Sequence, residues 1–306
     1  MQNMRPTVDV IIPTYKPDGR LSILIHRLMR QTYPVNKIII VNTENSKADK
    51  KQLCQNEAVE VHHVPIEDFN HGLTRNYARD FSEAEYVVFV TQDVVPKDCR
   101  LIEELMRPFE DPDVYVSYAR QIPRKDSSPM ESYTRKYNYP DYDIVKTIDD
   151  VEKMGIKAFF SSDVCAAYRR REHILMGGFP KTILNEDAIY AARVILDGKK
   201  VYYCSRAKVI HSHNYTCRQQ FRRNFDIGVS HRDYELIFSC TTSEQEGIKL
   251  VINTAKHLVC IGKWYLIPDL IMHSGFKFLG YRLGKRYKSL PKSLILKCTS
   301  MKSYWK

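Results

Sequence analysis

No run in this 306-residue chain approaches the roughly 18–20 uninterrupted apolar residues of a membrane span. The nearest candidate, Leu258 to Met272, is broken by Lys263, Pro268 and Asp269, so the chain is expected not to cross a bilayer. The opening Met-Gln-Asn-Met-Arg-Pro lacks the apolar core of a secretory signal and leads straight into a strand, which points to the cytoplasm. The eight cysteines (54, 99, 165, 204, 217, 240, 260 and 298) contain no Cys-x-x-Cys pair. That argues against a zinc site or a disulfide framework and suits a reducing compartment. Glycine is sparse where a nucleotidyltransferase would need it: the loop Pro13-Thr-Tyr-Lys-Pro-Asp-Gly19 after the first apolar run holds one. No fixed-period repeat and no low-complexity tract interrupts the chain. Acidic residues are missing from one region only. Residues 249–306 hold 12 Lys/Arg and a single acid, Asp269, whereas the first 248 residues carry 35 basic and 35 acidic groups. The net charge of +11 is therefore a property of the C-terminal part.

What is present reads as an α/β protein. Hydrophobic content of 43% and this length suit one large domain with an extension. Val8-Asp-Val-Ile-Ile-Pro13 reads as a buried strand ended by proline, followed by a helix over Leu21–Gln31 that Thr32-Tyr-Pro34 breaks. Strands follow at Lys37–Val41 and Val59–Val64, a helix carries Asn76, Ala78 and Phe81, and a strand occupies 86–90. Continuous apolar strands alternating with helices predict a parallel sheet covered on both faces. Beyond it come a helix over 101–110, a strand over Val114–Tyr118, and a long irregular, tyrosine-rich stretch over 120–155. A return to the sheet over Ala158–Tyr168, a helix over Glu186–Leu196 and a last strand over Lys200–Ile210 complete it. From residue 216 the pattern is helical and basic, so the boundaries are 1–215 for the α/β domain and 216–306 for the extension. The α/β domain divides further at about residue 100.

Polar residues gather at the ends of the predicted strands, where open α/β sheets bind ligands. They are Pro13-Thr14-Tyr15 after the first strand, Asn42-Thr43-Glu44-Asn45 after the second, Gln92-Asp93 after the strand at 86–90, and His211 and His213 after the last. A strand-end Asp93 either caps the turn that follows or holds a cation. One oxygen ligand with imidazoles suits Mn²⁺ and admits Mg²⁺. Asn70-His71-Gly-Leu-Thr74-Arg75-Asn76 opens a helix: Gly72 permits a tight turn, Thr74 could cap, and Arg75 beside the helix start attracts phosphate. Glu186 and Asp187 stand at another helix start, where the dipole favours carboxylates and where either could act as a general base. Arg222 and Arg223 belong to a basic cluster that is either a solvated helix face or a clamp for a departing diphosphate.

Together these motifs resemble family 2 inverting glycosyltransferases of the GT-A fold, and most closely the bacterial rhamnosyltransferases of cell-surface polysaccharide synthesis. Val10-Ile-Ile-Pro-Thr-Tyr15 looks like the family's opening strand, and Phe69-Asn-His-Gly-Leu-Thr-Arg-Asn-Tyr-Ala78 is similar to a stretch of the rhamnosyltransferase branch. Gln121–Asp126, Phe221–Gly228, Leu283–Pro291 and Tyr304-Trp305 resemble that branch too. Thr91-Gln-Asp93 stands in the place of the family's D-x-D and Asn185-Glu-Asp187 in that of its base motif. Two positions depart from the pattern: Thr91 replaces the first acid, and Asn42 and Thr43 stand where a carboxylate is usual. The tryptophan that follows the Gln-x-x-Arg spacing in processive synthases is absent after Arg223, which fits addition of a single sugar.

The resemblance implies a GT-A sheet, mixed but mostly parallel, with a basic helical C-terminal extension. It assigns Asp187, with Glu186 beside it, as base. Pro13, Thr14, Tyr15, Asn42, Thr43, His71, Arg75, Gln92 and Asp93 would bind the donor. Asp93, His211 and His213 would hold Mg²⁺ or Mn²⁺, and Arg222 and Arg223 the diphosphate or acceptor. The implied donor is dTDP-β-L-rhamnose and the acceptor a lipid-diphosphate-linked glycan at the inner face of the cell membrane. A UDP-hexose donor, a nucleotidyltransferase and a non-catalytic membrane-surface scaffold are the alternatives. The tail fits a bilayer: residues 276–306 carry nine Lys/Arg and no acid, interleaved with aromatic and aliphatic residues. Each such charge contributes about 1 kcal/mol near anionic lipid. Packing on the domain, or a homodimer, would use the same tail. Nucleic acid is not expected, because the neutral first part shows no base-reading module.

Overall fold

The first strand, β1 (Val8–Thr14), is buried along almost its whole length, because helices cover both faces of the sheet around it. Val8, Val10 and Ile12 join one core with Leu21, Leu24 and Leu28, while Ile11 joins the opposite core with Phe89, Tyr168 and Tyr190. The computed structural model describes residues 5–43, 57–238 and 243–306. Glu44 and Asn45 lie outside the described residues, as do Cys54 and Cys240.

The remaining strands are β2 (Lys37–Asn42), β3 (Val59–His63), β4 (Tyr86–Val90), β5 (Val95–Pro96), β6 (Val114–Ile122), β7 (Ile144–Lys146), β8 (Cys165–Arg169) and β9 (Lys200–Ile210). They form one sheet in the order β3-β2-β1-β4-β8-β6-β9-β5, with β7 added to β9. The β3-β2-β1-β4 half is parallel, as its continuous apolar strands predict. The other half is mixed, since β8 runs antiparallel to both β4 and β6, while β6 and β9 are parallel. One reversal has a large consequence. The carboxyl ends of β1, β2, β4, β6 and β9 share an edge with the amino end of β8.

The main helices are α1 (Gly19–Leu28), α2 (His71–Arg79), α3 (Leu101–Met106), α4 (Pro129–Asn138), α5 (Glu186–Leu196), α6 (Cys217–Asp233), α7 (Ser243–Cys260), α8 (Ile267–Lys285) and α9 (Lys292–Cys298). Several differ from expectation. Helix α1 ends at Leu28, short of Gln31. The stretch 120–155 is not irregular: it extends β6 to Ile122 and then builds α4 and β7. In α2 the cap is Asn70, whose side chain accepts from the Gly72 and Leu73 amides, so Thr74 lies inside the helix. Gly72 serves close approach and not a turn, since a Cβ there would sit 2.4 Å from the Pro180 carbonyl oxygen. Pro13 lies within β1, which runs on to Thr14.

The extension packs through glycine. A Cβ on Gly280 or Gly284 of α8 would fall 2.2 or 2.1 Å from the carbonyl oxygens of Phe221 or Phe225 on α6. Neither carbonyl can move without bending its helix. Gly284→Ala is therefore expected to lower stability by about 1–3 kcal/mol. Gly275→Ala, on an open part of α8 where a Cβ meets nothing, should be neutral or slightly stabilising. Equal midpoints for the two variants in urea unfolding would remove the close crossing as the reason for glycine.

A third core holds Phe225, Val229, Ile295 and Cys298, with Leu283, Tyr287, Leu290, Tyr304 and Trp305 packed against it. The buried carboxylate of Asp226 fastens the chain end, accepting from the Thr299 hydroxyl at 2.6 Å and the Ser300 amide at 2.9 Å. The tail thus divides. Leu283, Tyr287, Leu290, Ile295, Tyr304 and Trp305 pack inward, whereas Phe276, Phe278, Leu279 and Leu294 are exposed. No helix among the described residues is long and apolar enough to cross a membrane.

Candidate active site

The shared sheet edge collects Thr14, Asn42, Asp93, Gln121, Asp163 and His211 from six different strands or the turns beside them. Parallel β1, β2 and β4 bring the first three together, and the Thr14 hydroxyl donates to the Asn42 side chain at 3.2 Å. Gln92 clamps this edge by bonding both the amide and the carbonyl of Tyr15, each at 2.9 Å. The Gln92 amide, expected among the donor contacts, is thereby committed to the Tyr15 backbone. Asn42 and Thr43 are buried beside it, and the Thr43 hydroxyl has no partner among the described residues.

Asp93, His211 and His213 converge as their strand-end positions suggest. One ligand atom from each lies within 4.8 Å of the others. Asp93 Oδ2 is 3.5 Å from His211 Nε2 and 3.4 Å from His213 Nε2, and the two imidazole nitrogens are 3.0 Å apart. Gln121 holds this group in place. Its amide nitrogen donates to Tyr139 and Ser162, and its oxygen accepts from Arg135, so the same oxygen must accept from His211 Nδ1 at 3.0 Å. His211 Nε2 is then the ring nitrogen left facing Asp93 and His213. Burial, reinforced by His211, Arg135 and Arg223, pushes His213 down to about 4, so its ring is neutral at pH 7. Burial opposes ionisation of Asp93, but the histidines and Thr91 outweigh it and hold the carboxyl well below its usual range. One carboxylate oxygen and two imidazole nitrogens within reach of one point fit a divalent cation, with positions left for ligand oxygens.

A second acidic group lies behind the first. Asp187 accepts from the Asp163 amide at 3.1 Å and from the Ala188 amide at 2.7 Å. Asn185, the residue before α5, takes a left-handed backbone (φ 65°), and the helix spans Glu186–Leu196 as its pattern predicts. Burial, with Glu186 adding repulsion, raises Asp187 to about 6, while the two amides and Arg75 pull the other way. Asp163 is pushed well above the ordinary range, chiefly by burial, and takes a hydrogen bond from Tyr168 at 2.5 Å.

Arg75 is turned inward, away from the phosphate-positioning place expected for it. Its guanidinium lies 3.0 Å from Glu186 and 3.3 Å from Asp163 and donates to the His71 carbonyl at 2.8 Å. Glu186 is thus held by an ion pair, which leaves Asp187 as the acid of the pair available to a ligand. His71, packed edge-on to Phe69, is driven down to about 3 by burial and the charges of Arg75 and Arg223. Arg223 stands over the Tyr215 ring on the metal-triad side, whereas the charge of Arg222 acts on Cys298. The two groups of ligands are joined: His211 touches Gln121, Gln121 touches Ser162, and the next residue, Asp163, holds Asp187.

Asp163, Ser162 and Tyr168 escape a reading based on strand carboxyl ends, and Gln121 was missed because the predicted strand stops at Tyr118 whereas β6 runs on to Ile122. Asp163 precedes an antiparallel strand, so its place at this edge follows only from the sheet order. The carboxylate before the apolar Cys165–Tyr168 run was the available signal.

Comparison with known proteins agrees with this geometry. The model of "Glycosyl transferase family 2" matches residues 9–175. The O-antigen chain rhamnosyltransferase WbaN of Salmonella anatum is 36% identical over 98% of this chain and 96% of its own length. RfbN of Salmonella typhimurium, of the same description, is 37% identical over 97% and 96%. Among solved structures, the mannosyltransferase PcManGT of Pyrobaculum calidifontis, in complex with GDP-Man and Mn²⁺, superposes with a TM-score of 0.59 at 15% identity. That match covers 99% of this chain and 86% of the neighbour, and it supports the GT-A fold. With the family model over more than half of its length and two rhamnosyltransferases matched from end to end, this chain belongs to glycosyl transferase family 2, in its rhamnosyltransferase branch.

Proposed function

We propose that the protein transfers L-rhamnose from dTDP-β-L-rhamnose to a lipid-diphosphate-linked glycan at the cytoplasmic face of the inner membrane, forming an α-L-rhamnosidic bond during surface polysaccharide synthesis. The observation that carries this reading is the connected edge: a three-ligand group, Asp93, His211 and His213, joined through Gln121 and Asp163 to a carboxylate poised near neutrality. Near-end-to-end likeness to O-antigen rhamnosyltransferases supports the choice of sugar.

The reaction needs one displacement. The acceptor hydroxyl oxygen bonds to the anomeric carbon as the bond from that carbon to the diphosphate oxygen breaks. The hydroxyl proton passes to Asp187, whose level near 6 leaves it ionised at pH 7 yet basic enough to accept. Asp93, His211 and His213 would hold Mn²⁺ or Mg²⁺, which supplies charge neutralisation for the departing diphosphate. Asn42, Thr43 and the β1 loop at Tyr15 form the wall for the nucleoside. Arg75 acts indirectly, by holding Glu186 and Asp163 in place.

Membrane contact is assigned to exposed apolar residues around α8 and the turn before it, including Trp264 and Tyr265, together with the basic tail. No nucleic acid is involved.

A panel of nucleotide sugars scored by calorimetry and donor hydrolysis tests the donor. Preference for dTDP-rhamnose over UDP-glucose, UDP-galactose and UDP-GlcNAc is expected, and a preference for a UDP-hexose would overturn it. Asp93→Ala should weaken dTDP binding about 10–100-fold with Mn²⁺ present and change it little in EDTA. Equal affinity of variant and wild type with Mn²⁺ would remove Asp93 from the metal set.

A further inference from the structure

Residues 160–163, the stretch that joins the metal triad to the carboxylate group, lie in no helix or strand. The far end of this stretch is tied by side chains. The Ser162 hydroxyl accepts from Gln121 at 2.9 Å, and the Asp163 carboxylate accepts from Tyr168 at 2.5 Å. Ser161 is buried, and its hydroxyl has no partner among the described residues. The near end is tied by a lysine. Lys146, the last residue of β7, donates to the Phe160 carbonyl and, at 2.7 Å, to the Tyr118 hydroxyl.

A lysine is an unfavourable way to fill this place. Lys146 is 2% exposed, and both of its acceptors are uncharged. Its nitrogen lies 4.8 Å from the centre of the Tyr118 ring and 5.4 Å from that of Phe160, close enough for ring faces to attract a cation. Asp150 attracts it too, but that carboxylate already accepts from the Thr147 amide and hydroxyl. Burial outweighs this attraction and drives the ammonium down to about 7. Methionine would occupy the same volume without burying an amine. The neutral amine keeps two N–H donors, so both bonds persist on either side of neutrality. What lysine adds here is the grip on the Phe160 carbonyl.

Taking Asp187 as the base, we propose that Lys146 is a positioning residue for the transfer, pinning residues 160–163 so that the Asp163 amide meets the Asp187 carboxylate and Ser162 meets Gln121. Lys146 acts at one remove. It fixes the backbone three residues before Asp163, and so the direction in which the Asp163 N–H points. That N–H is one of the groups that hold Asp187 down. Slack at Phe160 would lengthen the bond, raise Asp187 and misplace the base.

Lys146→Met, which keeps the reach of the side chain and removes its donors, tests the assignment in the full-length protein. Hydrolysis of dTDP-rhamnose with Mn²⁺ should lose about 10–100-fold in kcat, the scale of a displaced catalytic group, with KM and dTDP affinity within roughly twofold of wild type. The acidic limb of that rate should move up by about one pH unit, because the carboxylate loses an amide donor. Hydrogen exchange followed by mass spectrometry should quicken about tenfold in peptides covering residues 160–163 and stay unchanged in β1 and β2. The urea midpoint should hold or rise, since a buried amine is gone. Wild-type kcat and wild-type exchange in Lys146→Met overturn the proposal. A lowered midpoint with uniformly faster exchange and an unmoved limb overturns it too, and makes Lys146 a packing residue. Exchange needs no substrate, so it separates this proposal from the reading beneath it. Faster exchange confined to residues 160–163 supports the pin even where Asp187→Asn keeps full turnover, an outcome that removes only the base.

Discussion

Asp187→Asn is expected to lower kcat by about 10³-fold while leaving dTDP and Mn²⁺ affinity within two- to threefold of wild type. The size follows from the role: a positioned general base contributes roughly 10²–10⁴ in rate. The separation from binding follows from geometry. Asp187 belongs to the carboxylate group at the start of α5, and the metal triad is joined to it indirectly, through Gln121, Ser162 and Asp163. The asparagine keeps an oxygen to accept from the Asp163 or Ala188 amide, so the helix start should survive. Full turnover by this variant would remove Asp187 as the base.

The same residue predicts a pH profile. A base must be ionised to accept a proton, and burial with Glu186 nearby raises Asp187 to about 6. The wild-type rate should therefore be flat above pH 7 and fall about tenfold per unit well below pH 6. In Asp187→Asn the residual rate should lose this acidic limb. A limb that persists unchanged in the variant would belong to another group, with Asp163 the nearest alternative.

Much of this site was legible because the sequence rule and the physical rule coincide. Apolar runs of strand length end on Thr14, Asn42, Asp93 and His211; parallel pairing aligns the first three, and two successive antiparallel pairings through β8 return β6 and β9 to the same direction. Asp163 was hidden by the opposite strand direction of β8. Helix α4 was hidden for a different reason. It buries none of its residues fully, so no apolar stripe marks it. Its start was nonetheless written in Ser128-Pro-Met-Glu131, where Ser128 caps and proline occupies the first turn. The tail could not be apportioned from sequence because aromatic and basic residues suit a bilayer and a protein groove equally. Gly280, Gly284 and the Asp226 latch decide which residues go inward. Arg75 could not be placed from sequence at all, since its partners come from residues 163 and 186, on separate elements.

That placement makes Arg75 the residue whose loss should cost most in stability. Its guanidinium, 5% exposed, faces two carboxylates that water barely reaches, with Asp187 close behind. Arg75→Met keeps much of the volume and removes the charge, leaving Asp163 and Glu186 facing each other without compensation. Breaking a buried pair in this way costs about 3–5 kcal/mol. The sign of the pH dependence separates charge from packing. Asp163 already stands well above its ordinary range, and without Arg75 it would be driven higher. A carboxyl raised in the folded state destabilises when ionised and ceases to do so as pH falls toward its unfolded value of about 3.9. The deficit of Arg75→Met relative to wild type should therefore shrink from pH 8 toward pH 5. Adding Asp163→Asn should restore part of the loss at pH 8 and little at pH 5. A deficit that is independent of pH, and unaffected by the second substitution, would mean that Arg75 matters for the shape it fills and not for the carboxylates it holds.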